Sequence, residues 1–597
     1  MENKKQAIIL SGVAIVALLA LIIGATYAYF RASGNSGSNT DINVTTYTLD
    51  LLSFEMGSDI KINADQTSFA SGKGNATGST FAKAILTANN KTNTATKNYY
   101  MYLNISNNTF TYTQNENTPE LLLTITDVSG NAITSITGLT YKTVIDGKGT
   151  SVSGFDITTK SGLLTLFDNR EITASPTKTE EWNVTVTFVN YNVNQTGNAG
   201  KSFNAKLMIQ QEEYELTLAD ICAGKTLSDC VISQYTGTQG DNALYYHNST
   251  LTNGAGDNSY RYAGGDYVLT EAGKATGATM MIGYNNSVTT ALIDFYCNGT
   301  KQYVGYASSC STSHYYLIKG DTTQYQTYNE ALNASVEKGY LTKDNVKNFV
   351  CFGSEASTCP TENLYRIIGV FNNQVKLIKY DYAKSSLLGT DGDFSQEYSY
   401  YFSGEQGESP SSNSVYYWNN AGTNTWSASK LNTVNLNTNF TTNIGTAWAN
   451  KIATTTWKVG GGTYANLRDA VPKTAYQYEV GSSASTTTYD AKIGLMYVSD
   501  YYYSASPSAW TLVGYNSDYT KSYASAKGEN WLYGGGWDWT ISRSSGNSSY
   551  AFYVYDYGYV FSYFVSGNFG VRPSFSLLSS TTYVSGSGSM SDPVRIN

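Results

Sequence analysis

Tyr553, Tyr555, Tyr557, Tyr559, Phe561 and Tyr563 stand at every second position, with Val554, Asp556, Gly558, Val560 and Ser562 between them. Side chains of an extended chain alternate between two faces, so these rings share one side. A break at Asp556-Tyr557-Gly558-Tyr559 turns the stretch into a hairpin and partly disturbs that register. A ring-lined face either packs into a core or meets a ligand. Core faces usually mix Val, Leu and Ile, and tyrosine is only intermediate in burial. Its hydroxyl asks for water or a partner. The preference for tyrosine therefore points to a binding face of large, rigid contact area. Its expected members are Tyr550, Tyr553, Tyr555, Tyr557, Tyr559, Phe561 and Tyr563.

Catalytic constellations are scarce. The chain holds two histidines, His247 and His314, and no HExxH, GxSxG, Walker A or Rossmann pattern. That disfavours Ser-His-Asp and Cys-His sites and leaves carboxylate chemistry open. Asp391-Gly392-Asp393 offers two carboxylates where calcium wants roughly six to eight oxygens, so an Asp-Gly turn is expected there. Asp257 to Tyr262 reads as a turn followed by a strand. The sequence suggests no metal and no cofactor.

The six cysteines fall as Cys222 and Cys230, Cys297 and Cys310, and Cys351 and Cys359. Closing a short loop costs little entropy, so three neighbouring disulfides are expected. Zinc would need CxxC-like spacing or histidine partners, and neither is present. Disulfides imply an oxidising compartment. The N-terminus agrees: Lys4 and Lys5 precede a stretch from Ala7 to Phe30 without a charged residue. That length suffices for a membrane-spanning helix, and the lysines keep the N-terminus inside. The segment is either an uncleaved signal anchor or a signal peptide cut near Thr26-Tyr27-Ala28. Either way the remainder is exported, outside the cell or on its surface.

Charged residues are only 14% of the 597, the net charge is −8, and tyrosine reaches 52 against 8 prolines. A mildly acidic chain without basic clusters is a poor nucleic-acid binder. The composition is that of a mostly β extracellular protein. Residues 1–30 form the targeting helix and 31–40 a linker. Alternation in Trp182, Val184, Val186 and Phe188, and again in Phe203, Ala205, Leu207 and Ile209, marks half-buried antiparallel strands. Residues 41–212 are therefore expected to form a β-sandwich, ending near Gln211-Glu212-Glu213-Tyr214. Residues 213–362 hold all the cysteines and read as a disulfide-stapled connecting module, with short helices at Thr217 to Ala223 and Tyr328 to Lys347. Residues 363–597 form an α+β domain. It opens with a hairpin around Asn372-Asn373, contains a helix from Ser429 to Trp448, and concentrates tryptophan between Trp418 and Trp539. The sandwich and this last domain are expected to fold separately.

The Thr-aromatic-Ala end of the apolar segment, followed by Tyr47-Thr48-Leu49-Asp50-Leu51, resembles the TasA/camelysin family of secreted matrix proteins. The pattern Trp539-Thr540-Ile541-Ser542-Arg543, followed by Gly570-Val571-Arg572-Pro573, resembles the C-type-lectin-like fold. More narrowly it looks like the bacterial branch related to formylglycine-generating enzymes and retroelement-variable proteins. That resemblance implies scaffold roles for Trp539, Arg543, Arg572 and Pro573, and ligand-facing residues just before the closing strand. Enzymes of that branch use cysteines, and none follows Cys359, so their activity does not carry over. The expected function is that of a surface-displayed binding protein or adhesin for an extracellular protein or glycan, and not an enzyme. It would be held at the membrane if the helix is uncleaved. The alternatives are a structural biofilm-matrix or fibre subunit polymerising through the sandwich, and a carboxylate-dependent glycan-active enzyme.

Overall fold

The computed structural model describes residues 50–597 except 65–71, 90–93, 215, 283–288, 303–309, 311–312, 344 and 401–410. The expected targeting helix and linker lie outside the described residues. Among the described residues no helix is long and apolar enough to cross a membrane. The chain is mostly β and divides into two compact units, 1–216 and 217–597.

In the first unit the period-2 pattern becomes ten strands: β1 Leu51–Met56, β2 Ile60–Asn63, β3 Ala76–Thr87, β4 Ala95–Asn108, β5 Leu121–Asp127, β6 Tyr141–Ile145, β7 Ser151–Asp156, β8 Gly162–Ala174, β9 Thr177–Phe188 and β10 Ser202–Gln210. They form a six-stranded sheet in the order β1-β3-β9-β5-β7-β6 and a four-stranded sheet in the order β2-β10-β4-β8. All pairings are antiparallel. The alternating residues of β9 and β10 named above are buried in one core shared by both sheets. A polar chain stitches the layers. The Trp182 indole donates to the Tyr99 hydroxyl at 2.8 Å, and Tyr99 donates to Glu180 at 2.6 Å. Arg170 pairs with Glu180 at 2.8 Å and stacks over Trp182. The Trp182 indole and the Tyr99 hydroxyl thus each find a partner inside the core.

The second unit is organised by the hairpin of strands Leu364–Phe371 and Gln374–Lys379. Its turn residues Asn372 and Asn373 sit at φ 49° and 61°. Asparagine tolerates this left-handed region better than most residues do, and tight hairpins demand it. The sheet then widens. Tyr260–Tyr262 and Phe349–Cys351 pair with Leu364–Phe371, and Ser574–Ser576 pairs with Gln374–Lys379. Gly369 faces the Tyr260 carbonyl so closely that a Cβ there would lie 2.3 Å from its oxygen, which accounts for glycine at that point.

This sheet corrects the expected division at 362/363. Strands from both sides of that point share hydrogen bonds, and Leu227, Val231, Tyr262 and Phe352 lie in the same core as Trp418, Trp539 and Phe575. The apolar residues of 222–262 and 346–352 thus share one core with residues that follow them in sequence. A smaller sheet of Met280–Ile282, Ala291–Cys297, Thr300–Gln302 and His314–Ile318 has its own apolar cluster with helix Tyr328–Glu337. The cysteines form the three neighbouring disulfides Cys222–Cys230, Cys297–Cys310 and Cys351–Cys359.

Helices are shorter than the sequence suggests. The first is Leu218–Cys222, capped by Thr217 and Asp220. The second stops at Glu337, with three residues between it and strand Leu341–Thr342. The expected helix 429–448 is a π-helix over Leu431–Phe440 followed by the short turns Thr441–Asn443 and Thr446–Ala449. Gly445, at φ 87°, breaks it.

Candidate functional site: the tyrosine hairpin

The aromatic ladder folds as a hairpin of strands Tyr550–Val554 and Val560–Phe564. The turn closes with the Tyr555 N–H donating to the Tyr559 carbonyl at 2.9 Å and Gly558 N–H donating to Tyr555 at 2.7 Å. Gly558 sits at φ 88°, a conformation that favours glycine. Tyr553 pairs with Phe561 and Ala551 with Tyr563, so the odd-numbered register survives the turn. Phe552, Val554, Val560 and Ser562 fall on the opposite face and are buried.

The ladder is graded. Tyr553, 3% exposed, is rooted in the core against Trp539 and Phe569, with ring centroids 6.0 and 4.5 Å away. Tyr555, Tyr557, Tyr559 and Phe561 are half-buried, and Tyr563 is 46% exposed. Tyr555 and Tyr559 stack at 5.0 Å and 5°, and Trp537 stacks on Tyr555 at 5.5 Å and 25°. Burial raises the hydroxyl pKa values of Tyr553 and Tyr559 well above the usual tyrosine range. Two expected members therefore differ from the rest. Tyr553 is a core residue, because Trp537, Trp539 and Phe569 close over it. Tyr550 pairs with Phe564 in the even register, off the ladder face.

Residues far away in sequence complete the surface. Tyr515 packs edge-on against Tyr559 and Phe561 at 5.2 and 5.3 Å. The Arg468 guanidinium lies 5.1 Å over Phe561 and 4.1 Å over Tyr464, held by Asp469 at 2.7 Å. Tyr464 accepts a hydrogen bond from Ser562 at 2.7 Å and is 40% exposed, as is Tyr519 near Tyr559. Nothing in the spacing of Tyr464, Arg468, Tyr515, Tyr519 or Trp537 points to this patch; only the regional density of aromatics hints at it.

The neighbouring charges serve the scaffold. Arg572 is buried and pairs with Asp538 at 2.5 Å while donating to the Leu532 carbonyl at 2.7 Å. Burial pushes the Asp538 carboxyl up to about 6, with Arg572 opposing. Trp539 donates to the Tyr416 carbonyl, Arg543 to that of Val459, and the Pro573 carbonyl accepts from Lys379 N–H, each at 2.9 Å. Asp393 accepts from the N–H groups of Asn420 and Leu431, and Asp391 from the Asn439 side chain. That is a turn and helix-start arrangement. Among the described residues no group of three or more His, Cys, Asp or Glu could hold a metal. Asp257 pairs with buried Arg261 at 2.6 Å and is pulled down to about 2, burial opposing the Arg261 charge and the Ser259 hydrogen bonds.

Comparison with protein-family models, with curated proteins and with solved structures gives no match to this chain.

Proposed function

We propose that this protein is an extracellular, surface-displayed binding protein, an adhesin in the broad sense. It takes a protein or glycan ligand on the tyrosine hairpin. The observation that carries this reading is the graded ladder: Tyr555, Tyr557, Tyr559, Phe561 and Tyr563 stay at least partly exposed on one face while Tyr553 anchors them in the core. Such rings lose little entropy on binding, because stacking already holds them. The disulfides fit an oxidising, exported setting. In this reading 217–597 carries a lectin-like ligand head, and the first unit is a TasA-like stalk, tethered if the N-terminal segment is uncleaved. Burial raises the Glu479 carboxyl to about 7 and that of Asp538 to about 6, and both sit inside the scaffold, which favours binding over catalysis.

A second reading, a matrix or fibre subunit, draws on β6, an edge strand of the six-stranded sheet with Ile145 exposed. Uncovered edges of this kind invite pairing with another chain.

The test uses the full chain against a glycan array and a displayed-peptide library. Changing Tyr555 and Tyr559 together to Ala should weaken capture at least tenfold, about 1.4 kcal/mol, with little change in Tm. Tyr553→Ala should instead lower stability by about 3–5 kcal/mol. Capture that survives the double change would sink the assignment.

A further inference from the structure

A cleft of 280 Å³ opens on the second unit, away from the ladder residues, between the segment that follows Cys359 and the turns Ser385–Leu388 and Thr441–Asn443. Lys379 lines it, 3% exposed, at the end of strand Gln374–Lys379. Among the described residues its amine has no hydrogen-bond or ion-pair partner, and it lies 6.0 Å from the centroid of the Tyr365 ring. A desolvated ammonium without an acceptor is costly. Glu362, Asp381 and Lys384 line the same cleft, and Leu387 and Ile444 supply apolar wall.

We infer that this cleft binds a free α-amino acid, with the ligand carboxylate on Lys379, its ammonium on Asp381 and Glu362, and an apolar side chain against Leu387 and Ile444. The charge pattern selects this chemistry. A simple anion would satisfy Lys379 but add a negative charge beside Asp381 and Glu362, with Lys384 as the other cation lining the cleft. A simple amine would leave Lys379 as it is. A zwitterion answers both in one small molecule, and the volume lies at or below the small end of ligand sites, roughly 300–1,000 Å³. Burial brings the Lys379 amine down to about 8, with Asp381 opposing. A bound carboxylate would hold it protonated, so affinity should fall as pH rises past about 8.

The experiment is calorimetric titration of the full chain with each proteinogenic amino acid, with isovalerate and isoamylamine as single-charge controls. Labelling of Lys379 by acetic anhydride is followed in parallel by peptide mass spectrometry. We expect an apolar amino acid such as leucine to bind once per chain and to slow Lys379 labelling about tenfold or more. Asp381→Asn, a change at a half-buried position, should weaken binding about tenfold, and Lys379→Met should abolish it. Binding of isovalerate as tight as that of leucine overturns the assignment. So does a panel in which no amino acid binds or protects Lys379, or an Asp381→Asn variant with unchanged affinity.

Discussion

Glu479 is buried in the core, where its carboxylate accepts hydrogen bonds from the N–H groups of Val498 and Ser499 and from the Ser542 hydroxyl. Burial nevertheless outweighs these bonds and raises its pKa to about 7. Below roughly pH 4 the carboxyl is protonated in folded and unfolded chains alike, and its contribution to stability is fully present. Between about 4 and 7 the unfolded chain releases the proton first, so stability falls as pH rises. Wild-type Tm should drop across this window, and Glu479→Gln should flatten the drop by up to about 3 kcal/mol. An unchanged pH profile in the variant would show that the shift is not there. Arg366 is a second decisive residue. Buried between Phe349 and Trp531, it is gripped by both oxygens of Asp266 at 2.6 and 2.7 Å. Asp266→Ala strands that charge, and chemical denaturation should register a loss of about 3 kcal/mol. Arg366→Lys should not restore the two-pronged grip.

Among the elements, the hairpin around Asn372-Asn373 shows how a local rule becomes a structural commitment. Both residues have positive φ, so Asn373→Val should cost about 1–2 kcal/mol while Asn373→Gly is neutral or better, read from Tm. This hairpin was legible because its need for left-handed residues is written in two adjacent positions. The strands β9 and β10 were legible for a similar reason, since period-2 burial is a local property. The helix expected at 429–448 was only partly legible. Leu431, Leu436 and Phe440 do reach the core, but Gly445 and the π-helical turn reset the register before Trp448. The tyrosine ladder kept its face through the turn because the two ends of the alternation pair in register, Tyr553 with Phe561.

The whole molecule is two units, and the second cannot be cut at 362/363 without exposing the strand Leu364–Phe371 on one edge. That strand would lose both Tyr260–Tyr262 and Phe349–Cys351. Expressed alone, 217–597 should unfold cooperatively in denaturant, whereas 363–597 should show no cooperative transition. A cooperative 363–597 would mean that the shared sheet contributes little. The disulfide pairs were readable from spacing, since loop closure depends on chain separation alone. So were the mostly β character, the sandwich strands and the common face of the ladder, each a matter of near neighbours. Tertiary structure alone decided that Tyr553 is core while Tyr555 and Tyr559 are half-open, because the cover comes from Trp537, Trp539 and Phe569. It alone brought Arg468 and Tyr515 to Phe561, and placed Lys379 in the wall of a cleft with no acceptor among the described residues. Burial is set by what returns from elsewhere in the chain, and no local spacing encodes that return.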